Sequence, residues 1–115
     1  MNKSNDLLPG TLDLLILKAI SLEAVHGYGV LLRIQQLSKE RLQIQQGSLY
    51  PALYRLERKG WIAAEWGESE NNRRAKYYRL TAEGRRHLQA ETENWNRVKT
   101  GIADVLKALT AESSS

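Results

Sequence analysis

Residues 47–62 read GSLYPALYRLERKGWI. The stretch decides the fold because it carries two faces at once. At 100° per residue, Leu49, Ala52, Leu53 and Leu56 cluster on one side. Pro51, Tyr54 and Arg58 lie opposite, flanked by Tyr50 on one side and by Ser48, Arg55 and Lys59 on the other. One face belongs in a core and the other carries phenols and cations. Gly47-Ser48 supplies a break and an N-cap. Pro51 then falls in the first turn, where its missing N–H costs nothing. Gly60 is placed to stop the helix as its C′ residue.

The flanking sequence completes a pattern. Downstream, Trp61 to Trp66 reads as a strand, 67–74 as a polar tip, and Lys76 to Leu80 as a returning strand. Thr81 caps a final helix running to about Leu109, with Glu83 in its first turn. Upstream, Thr11 serves as N-cap for a helix running to about Glu23, with Asp13 near its positive end. Leu12, Leu15, Ile16, Ala19, Ile20 and Leu22 recur there at helical spacing. Ala24 to Gly27 reads as a connection. A second helix follows to about Ser38, with Tyr28, Leu31, Leu32 and Gln35 on one side. The alternation in 42–46 predicts a short strand. The order is helix, helix, short strand, helix, strand, basic tip, strand, long helix. This is a mostly α fold with a small β-wing: a winged helix-turn-helix followed by a long C-terminal dimerisation helix. The expected divisions are a loose arm over 1–10, the winged helix over 11–80, the dimerisation helix over 81–110 and a frayed tail over 111–115.

Composition narrows the function. The chain has 115 residues, 42% of them hydrophobic, enough for one modest core that a partner subunit would help to complete. It has no cysteine, which excludes disulfides and thiolate metal sites and fits a reducing cytoplasm. No apolar run exceeds Leu14 to Leu17, so no membrane partner is expected. The net charge of +4 is unevenly spread. Residues 73–86 hold six bases (Arg73, Arg74, Lys76, Arg79, Arg85, Arg86) against one acid, Glu83. A basic patch confined to one segment is the electrostatic footprint of a nucleic-acid contact. Glu57 tempers the charge of the third helix and is expected to pair with Arg58 or Arg73.

Enzymatic motifs are missing. The two histidines, His26 and His87, stand far apart and predict no metal site. Gly27-Tyr28-Gly29 lacks the third glycine of a dinucleotide loop, since position 32 is leucine. No nucleophile elbow or phosphate loop occurs, and neither an active site nor a cofactor is expected. The last helix instead shows a seam. Leu88, Trp95, Ile102 and Leu109 repeat every seven residues, with Val98 and Val105 three after Trp95 and Ile102.

The segments LLPGTLDLLILKAI (7–20), HGYGV (26–30), GSLYPALYRLERKGWI (47–62) and RRAKYYRLTAEGRRHL (73–88) together resemble the PadR family of winged-helix transcriptional regulators. The likeness spans about residues 7–110. The single short C-terminal helix is similar to the compact subfamily, and ENWNRV (93–98) resembles its multidrug-responsive members. The resemblance implies a homodimeric, sequence-specific DNA-binding protein, usually a repressor released by a small molecule or another signal. It implies that Ser48, Tyr50 and Tyr54 form the polar face of the recognition helix, that Arg73, Arg74 and Lys76 form the wing, and that Trp95 stacks a ligand in a pore at the dimer interface. The residues themselves add Arg55 and Lys59 as phosphate contacts, with Tyr54 or Arg55 as alternative readers of base edges, and leave Trp95 open between dimer core and a platform for a planar aromatic or cationic ligand. A two-fold dimer predicts a palindromic site on double-stranded DNA, with recognition helices about one turn, ~34–36 Å, apart. The competing reading is a winged-helix module that binds protein.

Overall fold

The structure is a computed structural model, and it describes residues 10–68 and 71–109. The arm expected over 1–10, apart from Gly10, and the tail over 111–115 fall outside the described residues. The elements are α1 (Thr11–Leu22), β1 (Val25–His26), α2 (Gly27–Leu37), α3 (Gln46–Arg58), β2 (Ile62–Glu68), β3 (Arg74–Leu80) and α4 (Ala82–Lys107). The three strands form one antiparallel sheet in the order β1-β3-β2. This is a winged helix with a long C-terminal helix.

The core is where the apolar periodicities converge. Ile16, Leu17 and Ile20 of α1, Val30 and Ile34 of α2, Leu49, Leu53 and Leu56 of α3, and Ile62 and Leu80 of the sheet are all buried. The apolar face read from residues 47–62 is the buried face of α3. That helix closes as expected. Gly60 takes a left-handed φ of 81°, its N–H donates to the Glu57 carbonyl, and the Trp61 N–H donates to the Leu56 carbonyl. This pair of bonds is a Schellman cap, which favours glycine.

Other expectations are corrected. The N-cap of α1 is Gly10, at φ 89°, and Thr11 is the first helical residue. Val25–His26 is a strand, paired with Tyr77 and Tyr78 of β3 across the molecule. Residues 42–45 form no strand. Their alternation places Ile44 in the core and Leu42 against it, without a neighbouring strand to pair with. In α2 the buried side is Gly27, Val30 and Ile34, while Tyr28 and Leu32 are exposed. Finally, α3 begins at Gln46 with Gln45 as its cap, so Pro51 lies inside the helix and more than a turn past its start. Pro51 and Gly47 are both exposed, so solvent can satisfy the Gly47 carbonyl that the proline leaves without its N–H donor.

The sheet register sets the wing. Ile62, Ala64 and Trp66 lie opposite Leu80, Tyr78 and Lys76, and Glu68 lies opposite Arg74. Alternation puts these residues on one face. Near the core that face is apolar and buried. Farther out, past the core, it presents Trp66, Lys76, Glu68 and Arg74.

Beyond β3, Thr81 fastens α4. Its hydroxyl lies 2.7 Å from the Gly60 carbonyl oxygen and accepts the Gly84 N–H at 3.0 Å, while its own N–H donates to the Trp61 carbonyl. Gly84 is buried against that same carbonyl, where a Cβ would stand 1.9 Å from the oxygen. Among the described residues no helix is long and apolar enough to cross a membrane.

Candidate nucleic-acid interface

With its apolar face buried, α3 leaves Ser48, Tyr50, Pro51, Tyr54, Arg55 and Arg58 exposed. Tyr54 is the most open of the tyrosines at 61%, and the Arg58 guanidinium lies 5.7 Å from its ring centroid. Arg58 thus joins the outward face, four residues and about one turn beyond Tyr54. Tyr50 is half-exposed and its ring rests on Gly27, where a Cβ would meet the ring at 2.7 Å. The glycines of HGYG therefore serve packing: Gly27 admits Tyr50, and Gly29 admits Val25 and the His26 ring. His26 caps α2 by accepting the Gly29 N–H on Nδ1 at 3.1 Å.

Two flanks border this face. On one side, α2 and the wing enclose a groove of about 740 Å³. Its lining includes Tyr28, Tyr50, Asn71, Arg73, Arg74 and Lys76. Tyr28 and Asn71 were not singled out in the sequence. The signal for Tyr28 was its place in HGYGV. Asn71 has only its position in the wing tip. These are the side-chain types that hold phosphate oxygens. Arg74 stacks over Trp66 at 4.8 Å, while Arg73 is exposed just before β3.

Lys76 behaves differently from these arginines. Its ammonium meets Glu57 Oε1 at 3.1 Å, so the partner expected to be Arg58 or Arg73 is Lys76 instead. The reason is the register, which turns Lys76 toward α3. The hydrogen bond to Glu57 holds the Lys76 ammonium above the usual lysine value, against the opposing effect of desolvation. Burial pushes the Tyr78 phenol up, so both groups keep their protons at neutral pH.

On the opposite flank, Arg55 Nη2 donates to Asp13 Oδ1 in the first turn of α1. Lys59 sits apart from both flanks. Its ammonium lies 4.7 Å over the Trp61 ring, and Trp61 stacks on His87 of α4 at 3.6 Å between centroids. Among the described residues no cluster of His, Cys, Asp or Glu could hold a metal ion.

Along α4, Trp95, Val98, Ile102 and Val105 are exposed, as are Leu106 and Leu109. Two members of the predicted seam stand apart from it. Leu88 is partly buried against the core of its own chain, and Leu109 lies beyond the helix end at Lys107.

Residues 16–90 match the transcriptional regulator PadR-like family. The chain belongs to that family. A transcriptional regulator from Clostridium thermocellum is 32% identical, with a TM-score of 0.77 over 85% of this chain and 95% of that one. A PadR family transcriptional regulator from Eggerthella lenta is also 32% identical, with a TM-score of 0.72 over 87% of this chain and 85% of that one. An uncharacterised protein of Lysinibacillus sphaericus is 33% identical over 91% of this chain and 96% of its own length. As a PadR-like protein, the chain is a DNA-binding transcriptional regulator of winged-helix architecture, from a family of regulators rather than enzymes.

Proposed function

We propose that the protein is a homodimeric, sequence-specific repressor of the cytoplasm, with α3 as its recognition helix and the β2–β3 hairpin as its wing. The observation that carries this reading is the outward face of α3. Tyr50, Tyr54 and Arg58 stand open on it, and Tyr50 also lines a groove with the two wing arginines, Arg73 and Arg74, and with Lys76, which Glu57 pairs. The major groove admits one α-helix, and the wing cations suit the adjoining backbone. Ser48 at the start of α3, Arg73 and Arg74 supply phosphate contacts. Lys59 contributes positive charge at the edge, while the charge of Lys76 is met by Glu57.

Dimerisation uses the free stripe of α4. Trp95, Val98, Ile102 and Val105 form an apolar face that a monomer would leave in water. A two-fold pairing along this stripe presents two recognition helices to a palindromic operator. Trp95 is the least exposed member at 38%, and its indole offers a stacking surface for a planar aromatic or cationic effector whose binding releases the DNA.

Gel shifts with the DNA upstream of its own gene, against mixed-sequence duplex, test the assignment. Preferential binding that weakens with salt is the expected result. Equal binding to both duplexes would remove sequence specificity from the proposal. Quenching of tryptophan fluorescence by planar cationic dyes, lost in Trp95→Ala, tests the effector surface.

A further inference from the structure

The cations around α3 are not equivalent. Arg58 and Lys59 rest on aromatic rings, and Arg73 and Arg74 stand at the wing. Among the described residues, ion pairs with carboxylates hold only Arg33, Arg55 and Lys76. Arg33 lies away from α3, binding the Ala19 and Glu23 carbonyls at the end of α1. The two neutralised cations of the interface are therefore Arg55 and Lys76, one on each flank of the recognition helix.

The Arg55 pair sets a sheltered carboxylate against a half-exposed arginine side chain. Asp13 and Arg55 are 42 residues apart and join α1 to α3. The Asp13 side chain is only 19% exposed, whereas the Arg55 side chain is 48% exposed. The carboxylate is sheltered while the guanidinium stands half in solvent, on the α1 flank of the DNA-facing surface. Exposed ion pairs of this kind contribute only about 0–1 kcal/mol to stability. Their effect on a polyanion is larger. A free arginine at a DNA surface displaces a counterion, and each such contact steepens the dependence of log K on log salt by about 0.9. An arginine already facing a carboxylate brings no net charge to the phosphates.

We propose that Asp13 acts by restraint: it withholds Arg55 from general phosphate binding and so lowers affinity for non-specific DNA. The inference rests on the DNA-binding reading and adds a role for an acidic residue outside the recognition helix. With one N–H of the guanidinium occupied by Asp13, the remaining donors are held in a fixed orientation.

The test is the salt dependence of binding to mixed-sequence duplex DNA by wild-type protein and Asp13→Asn. The substitution keeps the side-chain size and removes the charge. Binding at low salt should tighten, and the slope should become more negative by about 0.9. The same substitution in an Arg55→Ala background should leave the slope nearly unchanged, because the effect passes through Arg55. An unchanged slope in the single variant, with only a lower thermal midpoint, would show a merely structural ion pair and overturn the proposal. Equal steepening with and without Arg55 would overturn it too, by reducing Asp13 to a bare negative charge near the DNA. Wild-type protein that fails to bind duplex at low salt would sink the underlying DNA-binding reading, an outcome distinguishable from the other two.

Discussion

The two halves of α4 are made from one repeating pattern and meet different fates. In the first half, Thr81 ties the helix to the Gly60–Trp61 corner, Gly84 wedges against the Trp61 carbonyl, and Leu88 packs on the core. In the second half, every residue from Thr92 onward is exposed, including Trp95, Ile102 and Val105. The seven-residue spacing of Leu88, Trp95 and Ile102 links the two halves, although the position three after Leu88 is Glu91. Periodicity therefore identifies a face to be covered and is silent on which chain covers it. Contacts from the same chain claim Leu88, and the remaining stripe is left uncovered.

The sharpest way to break this comparison is Gly84→Ala. The added methyl would sit 1.9 Å from the Trp61 oxygen, and that backbone is fixed by Thr81 and by the cap of α3. Relief requires α4 to move off the body. Thermal unfolding should show a loss of several kcal/mol, about 4 or more. A small change would mean that the attachment of α4 is loose. Leu88→Ala comes next. Loss of a partly buried leucine should cost about 2 kcal/mol, the low end for such changes, and leave the oligomeric state intact. Ile102→Glu should do the reverse, yielding monomers in sedimentation with the winged-helix body still folded. A dimer that survives it would locate the interface elsewhere.

At the other end of the molecule, Arg73→Ala and Arg74→Ala should each reduce the salt slope of DNA binding by about 0.9. Arg74 also leaves Trp66 uncovered, so its effect on stability should exceed that of Arg73. Equal and negligible slope changes would detach the wing from the DNA.

What was legible in the sequence was local. The two faces of α3, the glycine that ends it, the Thr81 cap and the wing are all written within a few turns of chain, where propensity and capping act directly. What escaped was non-local. Val25–His26 becomes a strand only because Tyr77 and Tyr78 lie beside it. The alternation at 42–46 lacks such a neighbour and stays irregular. The α3 start was misplaced because Gly47-Ser48 read as a break with its N-cap and Pro51 as a first-turn residue, although Gly47 and Pro51 both sit in an exposed part of the helix where solvent tolerates them. The charge partners escaped for the same reason. Asp13 meets Arg55 and Glu57 meets Lys76 through tertiary placement, and no spacing rule connects them. A count of bases therefore overstates the free positive charge of the candidate interface.

The smallest effect refines the same comparison within α4. Gly101 belongs to the exposed half, and a Cβ there would meet nothing within 4 Å. In a helix interior, glycine is less favourable than alanine by up to about 1 kcal/mol. Gly101→Ala should therefore raise the thermal midpoint slightly, opposite in sign to Gly84→Ala on the same helix. The gain belongs to a helix whose flank is free at that point. A loss of stability or of dimer would mean that the second subunit approaches so closely at Gly101 that a methyl cannot fit. In the proposed dimer, the sign of this one substitution thus reports how tightly the two long helices would pack, and whether the stripe would be covered face to face or along its edge.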